Sequence, residues 1–251
     1  QGNKKLSKRD GAKDILAYRE EGYLPDAMLN FLASLGWNDG TEQEVFTRNE
    51  LIEKFSLKRV QKSGARFDEK RLLWLNGAHI RNIPVDKLYE YVSPQGDNPQ
   101  KDRGQTGFWP ESAYAPNITK EYRMKVLALA QDRLKMFEDL RGFDYFFAEP
   151  EINMELIDGN KQLKKLSDSE RRELLETART ELAKLADWTP ESIQNCLNEL
   201  LETTGQKPGI LFSLIRIAVT WAPFSPQLND TLALIGRERT LARLQSFLSI
   251  N

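Results

Sequence analysis

The sequence predicts an all-α protein, and three observations support that fold class. Apolar residues recur at steps of three and four in one segment after another. Convincing alternation of apolar and polar residues, which is typical of a half-buried strand, does not occur. Residues that favour helix starts and helix ends stand at the borders of the periodic segments. The 251 residues correspond to one to three domains of ~100–200 residues each.

The first strongly periodic segment is GYLPDAMLNFLASLGW, residues 22–37. Pro25 suits the first position of a helix, where no intrahelical hydrogen bond is lost. Met28 and Leu32 follow on one helical face, and Gly36 favours a helix end. The sequence therefore predicts a helix that begins at Pro25.

Two more helices are predicted before residue 83. Thr47 and Glu50 have the spacing of a capping box, in which each side chain bonds the backbone of the other. The segment FDEKRLLWLNGAHI, residues 67–80, has helical periodicity. Its predicted buried side holds four apolar residues: Phe67, Leu72, Trp74 and Leu75.

Residues 93–118 are rich in Pro, Gly, Gln and Asp, which predicts an irregular linker. Its aromatic residues Phe108, Trp109 and Tyr114 can stack on nucleic-acid bases, but we expect them to pack against the domain surface. The following segment, residues 118–140, has the period of one long helix.

The C-terminal part continues the helical pattern. Ser167 and Glu170 form a second capping-box spacing, and Thr189 followed by Pro190 favours another helix start. The segment GILFSLIRIAVTW, residues 209–221, is apolar enough for a buried strand. Its helical neighbours favour a buried helix instead.

The C-terminal end carries a net positive charge, although Lys plus Arg total 36 and Asp plus Glu total 37 in the whole chain. From residue 203 onward, five basic residues stand against two acidic ones. The five are Lys207, Arg216, Arg237, Arg239 and Arg243. This end is the better candidate for contacting phosphate, while a solvated surface role explains any single arginine equally well.

The chain has one cysteine, Cys196, and one histidine, His79, so we expect no disulfide framework and no metal site built on these residues. His79 is expected to be a helix residue near a packing seam. No apolar run approaches the ~20 residues that a membrane span needs. We expect a cytoplasmic protein that contacts no membrane.

Near the start of the sequence stands the basic pentapeptide KLSKR, residues 5–9. Cations around a small hydroxyl can wrap a polyphosphate and neutralise charge that builds on its oxygens. The pentapeptide lacks the glycine-rich pattern of a Walker A loop. Without its context, a solvated tail explains it better than a phosphate loop.

The context of the pentapeptide resembles bacterial glutamyl-tRNA synthetase. KKLSKRDGA, followed by GYLPDAMLNFLASLGW, is similar to the KMSKS-type loop of class I synthetases and to the helix behind it. FDEKRLLWLNGAHI resembles a later family segment, and LIRIAVTW and ALIGRERTLARL resemble P-L-R-x-A-L-T-G and I-G-K-E-R-x-x-x-R-L. The resemblance covers nearly the whole chain and is weakest over 93–118.

The resemblance implies an enzyme that uses ATP, with magnesium, to activate glutamate as the adenylate and then transfers it to the 3′ end of tRNA(Glu). By motif match, ATP binding falls on Lys5, Ser7, Lys8 and Arg9, with Lys8 as the catalytic residue. The family's HIGH-type motif and glutamate pocket lie upstream, and His79 cannot supply them. We therefore expect a part of a longer chain, inactive by itself.

The resemblance also implies three regions. The loop and a helical stem-contact region occupy 1–83, and two helical anticodon-binding domains occupy 84–160 and 161–251. The implied partners are tRNA(Glu), with ATP and glutamate bound by the full-length enzyme, which we expect to be a monomer. The alternatives are a binding-only helical fragment for tRNA or protein and, less well supported, a helical scaffold.

Four anticodon-binding residues follow from the same resemblance. Arg216 matches the arginine that contacts the middle anticodon base, and Ser225 with Pro226 matches a step that helps to hold that base. Arg133 matches an arginine that reads the third base, where it would favour C over G and so separate glutamate from glutamine tRNAs. Trp221 stands where the family has Gly, so the loop that follows is expected to differ in shape.

Overall fold

The computed structural model describes residues 13–61, 66–93 and 107–250. Within these ranges the chain forms α-helices and short 3-10 helices and no β-strand, which confirms the predicted all-α class. The α-helices are α1 (Ile15–Glu20), α2 (Pro25–Ser34), α3 (Arg48–Lys54), α4 (Glu69–Arg81), α5 (Val85–Val92), α6 (Lys120–Ala130), α7 (Glu155–Asp158), α8 (Asp168–Ala183), α9 (Pro190–Thr204), α10 (Pro208–Thr220), α11 (Leu228–Ile235) and α12 (Arg237–Leu248). None of the described helices is both long and apolar enough to cross a membrane.

Contacts between residues divide the chain into two compact units. The first unit contains Gln1–Trp109 and Gln131–Arg141. The second contains Pro110–Ala130 and Gly142–Asn251. The three functional regions expected from the sequence stay a prediction.

The core of the first unit forms where α2 and α4 pack together. Pro25 is the first residue of α2, as predicted. Thr47 and Glu50 form the predicted capping box at the start of α3, with the Thr47 backbone N–H donating to Glu50 Oε2 at 2.8 Å. The core side chains come from α1, α2, α4 and the turn after α1: Tyr18, Tyr23, Met28, Phe31, Leu72 and Leu75.

Asn76 and Gly22 hold residues 131–141 in the first unit. The Asn76 side chain accepts from the Leu24 N–H at 2.8 Å and donates to the Lys135 carbonyl at 2.6 Å. Gly22 has φ +90°, and a Cβ there would lie 2.4 Å from the Cβ of Phe137. Only glycine therefore allows the turn after α1 to approach Phe137 so closely.

The second unit is a helical bundle in which α8 packs on α9 and α12, and α10 packs on α12. Ser167 and Glu170 form the predicted capping box of α8. Thr189 caps α9, whose first residue is Pro190. The apolar segment after residue 208 is the helix α10, so the preference for a buried helix over a strand is confirmed.

The single long helix predicted over residues 118–140 is wrong. Helix α6 ends at Ala130, and a 3-10 turn, Gln131–Arg133, follows. The Gln131 side chain donates to the carbonyls of Ile80 and Ile83, at 2.8 and 2.7 Å. These contacts, with residues about 50 positions earlier in the chain, fix the backbone in a turn that the local periodicity does not reveal.

Two predictions about tryptophans have opposite outcomes. Trp109 is 3% exposed and its indole N–H donates to Ser93 Oγ at 3.2 Å, so its packing role is confirmed. Trp74 is 47% exposed, and its predicted burial is wrong. Leu72 and Leu75 share the buried face of α4, while Trp74 is rotated about 100° from Leu75 around the helix.

Candidate nucleic-acid interface

The predicted ATP-binding residues Lys5, Ser7, Lys8 and Arg9 lie outside the residues that the structure describes. Their assignment stays a prediction. In the described part of the chain, no group of three or more His, Cys, Asp or Glu side chains is placed to hold a metal ion. The geometry of the candidate interface therefore comes from the predicted anticodon-binding residues.

Arg216, Ser225 and Pro226 lie together in the second unit. Arg216 stands in the middle of α10, and its Nε donates to Ser225 Oγ at 2.9 Å. The Ser225 hydroxyl in turn donates to the Pro226 carbonyl at 2.9 Å. Because Ser225 is only 5% exposed, this chain of hydrogen bonds fixes the Arg216 side chain in one orientation.

The turn that brings Ser225 back to Arg216 begins at Trp221. Trp221 ends α10 in the left-handed conformation, with φ +45° and ψ +35°, and its N–H donates to the Ile217 carbonyl at 2.8 Å. Its indole stacks on Phe247, with ring centroids 5.5 Å apart and planes 17° from parallel. Trp221, which the resemblance places at a family glycine, thus has a backbone conformation typical of glycine and adds a stacked ring.

Tyr145 lies near the guanidinium groups of Arg216 and Arg243. Burial raises the pKa of the Tyr145 phenol, and the positive charges of both arginines act in the opposite direction. The Tyr145 hydroxyl is buried and has no hydrogen-bond partner in the described part of the chain. The sequence did not point to Tyr145, because no local pattern connects it with two arginines on later helices.

Arg243, one of the five C-terminal basic residues, stabilises the fold. Arg243 is 3% exposed, and it donates to the carbonyls of Val219 and Ala148 at 3.0 and 2.8 Å. Its Nε also lies 2.9 Å from Glu149 Oε2. Hydrogen bonding from Arg243, together with its charge, holds the pKa of Glu149 below its ordinary value. Arg243 is therefore excluded as a phosphate contact.

Arg239 and Arg237 are also engaged within the second unit. Arg239 donates to the Phe146 carbonyl at 2.9 Å and pairs with Glu149 at 3.2 Å. Arg237 donates to the Leu185 carbonyl, and its guanidinium lies 5.5 Å from the centroid of the Trp188 ring. Arg237, Arg239 and Arg243 therefore do not support the expectation that the C-terminal end contacts phosphate.

Arg133 belongs to the first unit, whereas Arg216 belongs to the second. Arg133 is exposed, and it closes the 3-10 turn that follows α6. Asp139 accepts from the backbone N–H groups of Lys135 and Met136, at 2.7 and 3.0 Å, just beyond this turn. The Arg133 side chain thus projects from a turn whose two sides are held by hydrogen bonds.

His79 has the packing role expected of it. It is half-buried near the end of α4, and its Nε2 lies 3.0 Å from Asn30 Oδ1. The same Asn30 oxygen accepts from the Phe46 N–H at 2.9 Å. Burial lowers the pKa of His79, and the charge of Asp26 partly opposes that effect.

Comparison with known families matches two parts of the chain. The model of the tRNA synthetases class I (E and Q) catalytic domain matches residues 1–74. The model of the anticodon binding domain matches residues 87–248, a range that includes Arg133, Arg216, Ser225 and Pro226. The second match covers more than half of the chain.

Curated relatives named glutamate–tRNA ligase match almost the whole chain. The ligase of Roseiflexus castenholzii is 37% identical over an alignment of 263 positions, gaps included. The alignment covers 99% of this chain and 47% of the relative. Glutamate–tRNA ligase 1 of Alkalilimnicola ehrlichii is 35% identical over 243 residues, which cover 97% of this chain and 48% of the relative. The chain thus spans about half the length of the curated relatives it matches.

The fold is also found in solved structures. The crystal structure of a glutamate tRNA ligase from Elizabethkingia meningosepticum, in complex with its amino acid, superimposes with a TM-score of 0.73. The match covers 99% of this chain and 49% of that one, at 24% identity. From the match over residues 87–248, the chain belongs to the anticodon binding domain family.

Proposed function

We propose that the chain is the C-terminal portion of a glutamate–tRNA ligase, which uses ATP to attach glutamate to tRNA(Glu). The segment contributes the ATP loop and the recognition of the tRNA, including its anticodon. The observation that carries the proposal is the contact between Arg216 and Ser225, 2.9 Å apart. The resemblance assigned both residues to the same anticodon base, and they meet inside the range matched by the anticodon binding domain.

In this proposal, Ser225 holds Arg216 in position to read a base. Since the Ser225 hydroxyl donates to the Pro226 carbonyl, its lone pairs face the Arg216 Nε. The planar guanidinium is thereby fixed before the RNA arrives, which reduces the entropy lost on binding. A fixed guanidinium suits the edge of a planar base, because its N–H donors form a rigid fork.

The loop residues act on ATP in this proposal. Lys8 neutralises the phosphate oxygens as negative charge develops during activation, and Lys5, Ser7 and Arg9 bind the same phosphates. This assignment is supported by the motif match and by the catalytic-domain match over residues 1–74. Arg133 contacts the third anticodon base, an assignment supported by its exposed position on the turn after α6.

Binding of an RNA hairpin that carries the glutamate anticodon tests the proposal. Arg216→Gln removes the charge and keeps a hydrogen-bonding side chain, so we expect affinity to fall roughly tenfold to a hundredfold. Arg179→Gln is the matched control, because Arg179 lies on α8 and pairs with Glu176 on the same helix. It also removes one positive charge from the second unit, so it reports the non-specific electrostatic effect alone.

The hairpin would be titrated against each protein at a low and at a high salt concentration. Equal losses for Arg216→Gln and Arg179→Gln would show that the protein binds RNA by charge without reading the anticodon. Absence of hairpin binding by the unsubstituted chain at low salt would favour the helical scaffold.

A further inference from the structure

Phe224 exposes a large apolar ring beside the candidate anticodon site. It is 58% exposed, although it lies directly between Pro223 and the buried Ser225. Successive Cα atoms are about 3.8 Å apart, so the Phe224 backbone is adjacent to the residue that accepts the Arg216 hydrogen bond.

The segment that carries Phe224 is anchored on both sides. On one side, the Trp221 ring stacks on Phe247, and the Ala222 N–H donates to Thr220 Oγ1 at 3.2 Å. On the other side, Ser225 is buried and bonded to Arg216. Ala222 is also buried, so only a short stretch between two anchors faces solvent. The backbone of Phe224 is thus held from both sides, at a position where its ring is exposed.

We propose that Phe224 is a stacking platform for a nucleobase of the anticodon loop, next to the base that Arg216 contacts. The inference rests on the proposed function, since it needs Arg216 to face RNA. An aromatic ring offers a flat face to any base, and stacking of this kind does not depend on the base's hydrogen-bonding edge. Phe224 therefore contributes affinity, while Arg216 and Ser225 contribute base selectivity.

A nucleobase is favoured over an apolar protein partner because of what surrounds the ring. The neighbouring functional side chain is a guanidinium held in one orientation, which suits RNA. Anticodon-loop bases can be splayed out and stacked on aromatic side chains, as is general for single-stranded RNA recognition. One rigid ring beside one fixed guanidinium therefore fits a stacked base better than an extended apolar surface.

The test compares Phe224→Leu with Phe224→Tyr in binding the glutamate anticodon hairpin. Leu keeps an apolar side chain without a flat π face, so we expect affinity to fall roughly 5- to 150-fold. Tyr keeps the ring and is expected to bind within about twofold of the unsubstituted chain. The matched control is Phe55→Leu, which changes a partly exposed phenylalanine in the first unit instead of the second. It should not alter binding.

Hairpins with one abasic nucleotide at each anticodon position identify the stacked base. At that position, removal of the base and Phe224→Leu should not be additive, because either change abolishes the same contact. Additive losses at every position would overturn the stacking assignment.

Arg216→Gln, measured on the same hairpin, separates the two proposals. If Arg216→Gln weakens binding and Phe224→Leu does not, the stacking role is overturned and the anticodon role of Arg216 stands. If neither substitution changes the affinity, both proposals are overturned.

Discussion

Trp221 adopts a left-handed backbone conformation that residues with a side chain rarely take. It is the one residue other than glycine with positive φ in the part of the chain that the structure describes. The stacked contact with Phe247 holds the indole in place and offsets the backbone strain. A glycine at this position would adopt the same backbone without such strain, but it would lack the aromatic contact.

Replacing Trp221 by Gly and by Ala separates these two effects. Both substitutions remove the stacked ring, but only Ala retains a Cβ in the left-handed region. We expect Trp221→Ala to lower the free energy of unfolding by about 1–2 kcal/mol more than Trp221→Gly does. Urea unfolding of the three proteins measures the difference. Equal stability of the Ala and Gly variants would contradict a strained backbone at Trp221.

We expect His79 to make the stability of the first unit depend on pH. Because burial lowers its pKa, folded His79 takes up a proton at lower pH than unfolded His79, which titrates near ~6.5. The unfolded chain then binds more protons, so the stability present above about pH 6.5 is lost as the pH falls below that value.

His79→Gln checks this dependence while keeping an N–H donor for Asn30 Oδ1. The free energy of unfolding of the unsubstituted chain should fall more between pH 7.5 and pH 5.5 than that of the variant. Parallel decreases in the two proteins would show that other groups cause the pH dependence.

Among whole elements, helix starts were predictable because their signals are local. Thr47 and Glu50, and likewise Ser167 and Glu170, satisfy each other within three residues, so the sequence reveals both capping boxes. The end of α6 was not predictable in this way. It depends on Gln131 binding carbonyls that lie about 50 residues earlier in the chain.

Helix α12 is attached to residues 145–149 by arginines whose role the sequence did not reveal. Their partner Glu149 lies at least 90 residues upstream, and most acceptors are backbone carbonyls without a sequence signature. The sequence therefore predicted these arginines as candidates for phosphate contact, whereas Arg243 bonds groups inside the second unit.

Arg243→Leu should destabilise the second unit by roughly 2–4 kcal/mol, because the buried Val219 carbonyl and the partly buried Ala148 carbonyl lose their donor. Arg179→Leu, which removes a surface arginine paired with Glu176, should leave the unfolding midpoint unchanged. Thermal unfolding measures both variants. An Arg243→Leu protein as stable as the Arg179→Leu protein would contradict the structural role of Arg243.

At the scale of the whole molecule, contacts divide the chain into two units, and the predicted anticodon residues are distributed between both. Motif matching identified Arg216, Ser225 and Pro226, and their proximity follows from the left-handed turn at Trp221. Phe224 was not identified, because exposure of one aromatic residue leaves no pattern in the sequence. The division into units was also not predicted, since residues 131–141 join the first unit through contacts that are distant in sequence.

The most direct test of anticodon reading is the selectivity of the chain for the middle anticodon base. Four hairpins that differ only at that base would be titrated against the unsubstituted chain and Arg216→Gln. We expect the unsubstituted chain to prefer the glutamate anticodon by roughly tenfold or more, and Arg216→Gln to bind all four hairpins almost equally. Equal affinity of the unsubstituted chain for all four hairpins, or unchanged selectivity in Arg216→Gln, would contradict this expectation.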